Sequence, residues 1–377
     1  MRTREPDLGT QRGCLEALLV GVVEELDISP ELAEQARVQY GSVGRFLNSH
    51  GDNLGTASWD VYAQGSFPLG TVVRPKLEVE SYDIDLVCQL GAPESSTTPA
   101  RLKQEMGKAL AGYAAQEEGM GIREARRCWT LECPHLGLHM DVLPSLPDRM
   151  GGPTGILITD HGVATWLKSD PKGYVGWFKA RMEQELRDRK MAFAAERRST
   201  TEEVPDFLFK TTLQQSVQAL KRHRNIFFQD DWAMRPPSIL VTTLAAHAYQ
   251  GDQNLYEAVV MMAGTMASYI QRDGQGWCVP NPSQPEENFA DKWAANPELP
   301  HRFFAWIEQL KRDLDDLLLA QGLDRASIRL GEGWGKEVAA RSAKHLGQFV
   351  HTKREAGALT MVTPTGMLST KGDGSRK

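Results

Sequence analysis

Two aspartates one residue apart, inside a run that otherwise reads as a buried strand, constrain this chain more than any other feature. In Tyr82-Asp83-Ile84-Asp85-Leu86-Val87-Cys88, the alternation of strand side chains puts Asp83, Asp85 and Val87 on one face and Ile84, Leu86 and Cys88 on the other. A fold that accepts this strand must bury the second face and keep the first open. Two carboxylates on one open face repel each other unless one is protonated or a cation sits between them, so the spacing points to a divalent metal site.

A second alternating run, Leu136-Gly137-Leu138-His139-Met140-Asp141-Val142-Leu143-Pro144, puts Leu136, Leu138, Met140 and Val142 on one face and His139 and Asp141 on the other. Asp141 is therefore the candidate third carboxylate. Three carboxylates on neighbouring strands can hold two Mg²⁺ roughly 3.5–4 Å apart, the arrangement that serves both the attacking and the leaving oxygen in phosphoryl or nucleotidyl transfer. All-oxygen ligands favour Mg²⁺, with Mn²⁺ as an alternative, over zinc. Upstream, Gln64-Gly65-Ser66-Phe67-Pro68-Leu69-Gly70-Thr71 supplies a complementary element: glycine lets the backbone approach a phosphate, and a serine hydroxyl donates to its oxygens. Gly-Ser alone means little. With Asp83 seventeen residues after Ser66 and a third Asp on an alternating strand, the combination outweighs the plainer reading of a turn followed by solvated strand acids.

Composition narrows the partners. With 43 Lys and Arg against 49 Asp and Glu, the chain carries a formal charge of −6, which argues against constitutive nucleic-acid binding by bulk charge and leaves a local activator site open. A length of 377 residues suggests about two domains. The first thirteen residues have no apolar run and do not read as a secretory signal, and no stretch has the ~18 apolar residues of a membrane span. The five cysteines, Cys14, Cys88, Cys128, Cys133 and Cys278, are widely spaced and read as thiols in a reducing cytoplasm.

The texture along the chain separates four regions. Residues 1–60 are helical, with Ser29-Pro30 as N-cap and first-turn proline of a long helix to about Asn48. Residues 61–172 alternate short β-rich runs with one helix over 99–118. Residues 173–351 carry helical periodicity over 174–198, 207–224, 237–249, 255–272, 301–321 and 324–345, interrupted by a proline-rich rigid loop at 279–285. Residues 352–377 are poor in large apolar groups and read as a mobile tail.

The site residues resemble the DNA-polymerase-β-like nucleotidyltransferases and, more closely, the cGAS/DncV-like nucleotidyltransferases (CD-NTases) of bacterial CBASS antiphage defence. The segments 213–224, Arg235-Pro236-Pro237-Ser238 and Asn281-Pro282 through 287–293 are similar to the helical-lobe signatures of that family. The resemblance implies an α+β fold: a bilobed cage with a mixed-sheet catalytic lobe and a helical-bundle lobe, joined by a long N-terminal spine helix. It implies that Asp83, Asp85 and Asp141 bind the metals, that Gln64, Gly65 and Ser66 hold the donor triphosphate, and that Lys221 and Ser238 reach the triphosphate from the helical side. The implied activity is Mg²⁺-dependent joining of ribonucleoside triphosphates into a cyclic di- or trinucleotide messenger. The resemblance further implies release of pyrophosphate, a downstream effector that senses the product, and accessory proteins that dock on or conjugate the C-terminal tail, although the final Lys377 departs from the simplest conjugation pattern. Cyclisation is implied by the resemblance alone; from the residues, a template-independent transferase acting on RNA, a small molecule or a protein stands beside it, as does a nucleotide- or partner-binding scaffold.

Weaker signals read plainly. Gly331-Glu332-Gly333-Trp334-Gly335-Lys336 lacks Walker spacing and reads as a loop. His135 and His139 read as partly exposed strand histidines, His139 sharing the Asp141 face. Trp166, Tyr174, Trp177 and Phe178 read as core. Apart from Lys221, the Lys221-Arg222-His223-Arg224 run reads as a solvated helix face, as do Arg181, Arg187, Arg189, Lys190, Arg197 and Arg198 among their acidic neighbours.

Overall fold

The computed structural model describes residues 8–50, 58–75, 81–160, 165–197, 210–274, 276–356, 359–362 and 367–370. In chain order the elements are α1 (Gln11–Leu26), α2 (Pro30–His50), β1 (Trp59–Gln64), α3 (Ser66–Leu69), β2 (Tyr82–Leu90), α4 (Pro99–Ala114), β3 (Gly121–Glu124), β4 (Trp129–Cys133), β5 (Leu138–Pro147), β6 (Ile156–Ile158), β7 (Leu167–Ser169), α5 (Pro171–Ala180), α6 (Glu183–Arg197), α7 (Thr212–Phe227), α8 (Ser238–Ala248), α9 (Leu255–Thr265), β8 (Gln271–Asp273), β9 (Gly276–Cys278), β10 (Pro280–Asn281), β11 (Gln284–Asn288), α10 (Glu298–Leu319), α11 (Leu323–Trp334), α12 (Lys336–Glu355), β12 (Leu359–Val362) and β13 (Met367–Thr370). The class is α+β, as expected. The chain divides into two compact units, one of Ile28–Ala180 with Pro280–Phe289, the other of Met1–Asp27, Arg181–Val279 and Ala290–Lys377. The linear division at 60, 172 and 351 thus differs from these units: α1 groups with the helices, and α2 and the hairpin β10–β11 group with the sheet.

The first unit is built on a seven-stranded mixed sheet in the order β1-β2-β5-β4-β3, with β6 on β5 and β7 on β6. β2 and β5 run parallel, and the other pairs are antiparallel. One face carries Ile84, Leu86, Cys88, Leu131, Met140 and Val142, all buried against α2 and α4. The helices present matching stripes: Ala36, Val43 and Leu47 from α2, and Leu102, Met106 and Leu110 from α4, at the spacing of one helical face. Burying each large side chain contributes roughly 1.5–3 kcal/mol. The starts of both helices follow from local chemistry. Ser29 Oγ accepts from the Leu32 amide at 3.2 Å ahead of Pro30, and Thr98 Oγ1 accepts from the Arg101 amide ahead of Pro99, each satisfying a donor that the first turn leaves open.

The second unit is helical, as the periodicity predicts, but several elements differ from expectation. The helix expected over 174–198 breaks into α5 and α6, where Arg181 donates to the carbonyls of Ala246 and Tyr249 at the end of α8. Arg181 is exposed, as expected of a solvated face, but its guanidinium is also tied to the end of α8; Arg187 and Arg189 pair with their acidic neighbours Glu183 and Glu185, and Arg198 lies outside the described residues. The helix expected over 255–272 ends at Thr265, whose hydroxyl bonds back to the Met261 carbonyl at 2.8 Å. The 331–336 stretch is not a loop: it forms the end of α11 and the break before α12, made by Gly335 at φ 105°. The proline-rich segment at 279–285 contributes to the short hairpin β10–β11 rather than a bare loop.

Two further expectations are corrected. Arg222, His223 and Arg224 do not form a solvated face; all are buried. Arg222 Nε donates to the Trp334 carbonyl at 2.9 Å, and His223 joins the Trp306 indole N–H (3.0 Å) to the Asp313 carboxylate (2.9 Å). Cross-helix partners make these polar groups affordable in the core. The tail expected from 352 continues α12 to Glu355, and Leu359–Val362 then pairs with Met367–Thr370 in an antiparallel ribbon. Val362 with Thr360 on one arm and Thr370 on the other suit a two-stranded pairing, a local signal that averaging over the whole segment hides. Residues 371–377 lie outside the described residues. No described helix is long and apolar enough to cross a membrane.

Candidate active site

The sheet face opposite α2 and α4 carries the acids. Parallel pairing of β2 with β5 sets Asp83 beside His139 and Asp85 beside Asp141; antiparallel pairing sets Gln64 beside Asp85 and Thr130 beside Asp141. One carboxylate oxygen from each of Asp83, Asp85 and Asp141 lies within 4.8 Å of the others, with Asp83 exposed and the other two half-buried. Two residues further along the strands, Val87 and Leu143 join Ile156 and Ile158 in a small apolar cluster bordered by Tyr62 and Cys128. The acids therefore sit at the edge of an apolar floor.

This setting shows in the titration of the groups. Burial pushes the Asp141 carboxyl above the usual carboxylate range, with the Asp83 charge acting the same way, while hydrogen bonds from Thr130 and Cys128 oppose the rise. The Thr130 hydroxyl donates to Asp141 Oδ1 at 2.6 Å. Burial first, then the Asp141 charge, pushes the Cys128 thiol up to about 12. His139 Nε2 lies 3.3 Å from Asp83 Oδ1, and that bond together with the surrounding acids raises the imidazole above its ordinary value against the effect of burial. Three converging carboxylates with one oxygen each, two of them half-buried, fit a hard divalent cation such as Mg²⁺ or Mn²⁺.

The same shifts set a stability test. A carboxyl whose folded value is raised holds its proton more tightly folded than unfolded, so its contribution to stability falls as pH rises from the ordinary carboxylate range through the raised folded value. At neutral pH without metal the full penalty applies. Asp141→Asn is therefore expected to melt at a higher temperature than the wild type at pH 7 in EDTA, the difference shrinking as pH falls to about 4. Equal or lower melting at pH 7 counts against carboxylate crowding.

β1 ends at Gln64, and Gly65 follows at φ 64°, ψ −139° before the single turn Ser66–Leu69. A Cβ on Gly65 would meet Asp85 Oδ2 at 2.2 Å, so glycine is required both by backbone conformation and by the approach of the turn to the acid. Leu69 anchors the turn in the core, and the Thr71 amide closes it onto the Ser66 carbonyl at 3.0 Å. Gln64, Gly65 and Ser66 thus adjoin the acids. His135 lies in a short 3₁₀ turn rather than in a strand, and Tyr174 and Phe178 are core residues.

Lys221 and Ser238 belong to the helical unit. Lys221 is buried on α7, and Ser238 opens α8 with its Oγ accepting from Arg224 Nη1 at 3.1 Å. The 280–289 hairpin belongs to the sheet unit. There Asn281 Nδ2 and Ser169 Oγ both donate to Glu287, each at 2.8 Å, so this part of the expected helical signature serves the sheet. Sequence reasoning missed Thr130 and Cys128. The alternation of Trp129–Cys133 marks Thr130 as facing away from the core, but only the strand order puts it against Asp141.

Residues 17–181 match a family model described as the Second Messenger Oligonucleotide or Dinucleotide Synthetase domain. A c-di-GMP synthase of Roseivirga ehrenbergii is 28% identical over 353 residues, covering 93% of this chain and 92% of that protein. Among solved structures, the Bradyrhizobium diazoefficiens CD-NTase CdnG in complex with GTP superposes with a TM-score of 0.71 at 23% identity, over 89% of this chain and 99% of that one. Escherichia coli MS115-1 CdnC, from its complex with HORMA-deltaN, superposes with a TM-score of 0.60 at 15% identity, over 84% and 96% of the two chains.

Proposed function

Because this chain belongs to the cGAS/DncV-like nucleotidyltransferases, we propose that it joins two ribonucleoside triphosphates, GTP first among them, into a cyclic dinucleotide messenger with release of pyrophosphate. The observation that carries this reading is the convergence of Asp83, Asp85 and Asp141 beside the Gly65 turn. The choice of guanine is supported by the relative named as a c-di-GMP synthase and by the CdnG structure with GTP.

In this reading Asp83, Asp85 and Asp141 hold Mg²⁺, two ions by the chemistry of the class. When bound, the metal supplies positive charge that steadies the triphosphate and the developing alkoxide. The Gly65 backbone and the Ser66 hydroxyl take phosphate oxygens, Gln64 flanks them, and Lys221 and Ser238 are assigned to the triphosphate as a point charge and a hydroxyl donor. Asp141 is assigned to accept the proton of the attacking ribose hydroxyl. A bond forms from that oxygen to the α-phosphorus, the bond to pyrophosphate breaks, and a second round closes the ring. Release of a diffusible product implies an effector that binds it.

The test is to incubate the chain with all four labelled ribonucleoside triphosphates and Mg²⁺ or Mn²⁺, digest with phosphatase and weigh the products. A phosphatase-resistant cyclic di-guanylate is expected. A resistant product of other bases overturns the guanine assignment, and linear, phosphatase-sensitive extension replaces the cyclase reading with a template-independent transferase. A protein regulator is part of the same proposal, supported by the CdnC relative, which was solved with a partner, and the segment from Thr352 is assigned to it. Unchanged antiviral protection in cells after removal of residues 363–377 would remove that assignment.

A further inference from the structure

Each outer acid of the triad faces a hydrogen-bond donor on the adjoining strand. Asp83 has His139 at 3.3 Å and is itself exposed, so water competes for that contact. Asp141 has Thr130 at 2.6 Å on a residue only 2% exposed, where solvent does not compete and geometry is held from both sides. The β4 alternation explains why Thr130 is free to do this. Leu131 and Cys133 are committed to the core under α4, Trp129 donates its indole N–H to the Lys103 carbonyl at 2.9 Å, and Thr130 is left on the opposite face. Its register partner is Asp141, so backbone pairing sets the distance between the two side chains and no long, flexible chain is involved.

We infer that Thr130 is a positioning residue: by donating to Asp141 Oδ1, beside the Cys128 thiol's bond to the same carboxylate, it fixes the plane in which that carboxylate would meet the metal and the attacking hydroxyl. This rests on the metal-dependent reading above and extends it to a residue outside the acid triad. A carboxylate on a two-bond side chain rotates readily about its last torsion. One short bond from a buried, β-branched donor removes that freedom before the metal arrives. Outer partners of metal-binding carboxylates typically change metal affinity or activity about 10- to 100-fold when removed. Threonine suits the role because its χ1 is restricted by branching, so the donor itself is held still.

The experiment compares Thr130→Val, which keeps the shape and loses the donor, with Thr130→Ser, which keeps the donor. Mn²⁺ binding to the full chain, followed by electron paramagnetic resonance without nucleotide, is expected to weaken about 10- to 100-fold in T130V and about threefold or less in T130S. In steady-state assays T130V is expected to lower kcat by a similar factor with KM for the nucleotide nearly unchanged, and T130S to restore it. Wild-type Mn²⁺ affinity in T130V overturns the inference, as does T130S losing affinity as far as T130V while melting like the wild type. Because Mn²⁺ binding is read without turnover, weakened binding in T130V supports the positioning role even if the chain makes no cyclic dinucleotide, in which case only the proposed function fails.

Discussion

Replacing Asp83 and Asp85 together by asparagine is expected to reduce nucleotide joining by at least about 10³-fold. Metal held by carboxylates supplies several kcal/mol of transition-state charge stabilisation, and each ~1.4 kcal/mol is a factor of ten in rate. Asn keeps the shape and a carbonyl oxygen but removes the negative charge that binds the cation. The three acids lie within 4.8 Å of one another, so the substitutions also relieve repulsion, and the double variant should melt no lower than the wild type in EDTA. Loss of product with undiminished melting temperature separates lost chemistry from lost fold. A double variant that retains a tenth of wild-type product formation would sink the metal assignment.

Gly65→Ala is expected to lower stability and turnover together. The added Cβ falls 2.2 Å from Asp85 Oδ2, a separation that nonbonded atoms do not reach, so either the acid or the turn must move. The backbone at φ 64°, ψ −139° is also one that alanine adopts only under strain of about 1–3 kcal/mol. A displacement of order 1 Å in a reacting group lowers rates by about 10²-fold, and the group displaced here is one of the acids themselves. The expected result is therefore a lower melting temperature together with a roughly 10²-fold fall in kcat and weaker Mn²⁺ binding. Wild-type melting and turnover in this variant would show that the turn does not constrain Asp85.

The acid site was legible because its elements are local. Asp83 and Asp85 share a face through alternation alone, Asp141 and His139 do so on their own strand, and the Gly65-Ser66 pair gained its meaning from lying a short way ahead of those acids. The bundle helices were legible as periods, but not as ends: Thr265, Gly335 and the break at Arg181 depend on what each turn meets. The least legible stretch was Lys221-Arg222-His223-Arg224. Four consecutive basic residues look solvated by composition, yet Trp306, Trp334 and Asp313 on other helices supply partners that let Arg222 and His223 enter the core. The 280–289 hairpin was likewise assigned to the helices by its place in the chain, while Ser169 and Glu287 tie it to the sheet.

By itself the sequence determined the face on which each acid lies and the supply of three acids, because alternation is a property of a few neighbouring residues; that position 65 must be glycine came from its backbone angles and the nearness of Asp85. Only the tertiary structure decided that Asp85 stands beside Asp141 and that Thr130 reaches the same carboxylate. The first is a register between strands separated by α4 and the β3–β4 hairpin, the second a register between consecutive strands joined by a short turn. They are set by the burial of Ile84, Met140 and Leu131 under α2 and α4, since a one-residue slip would turn these apolar groups outward and the acids into the core.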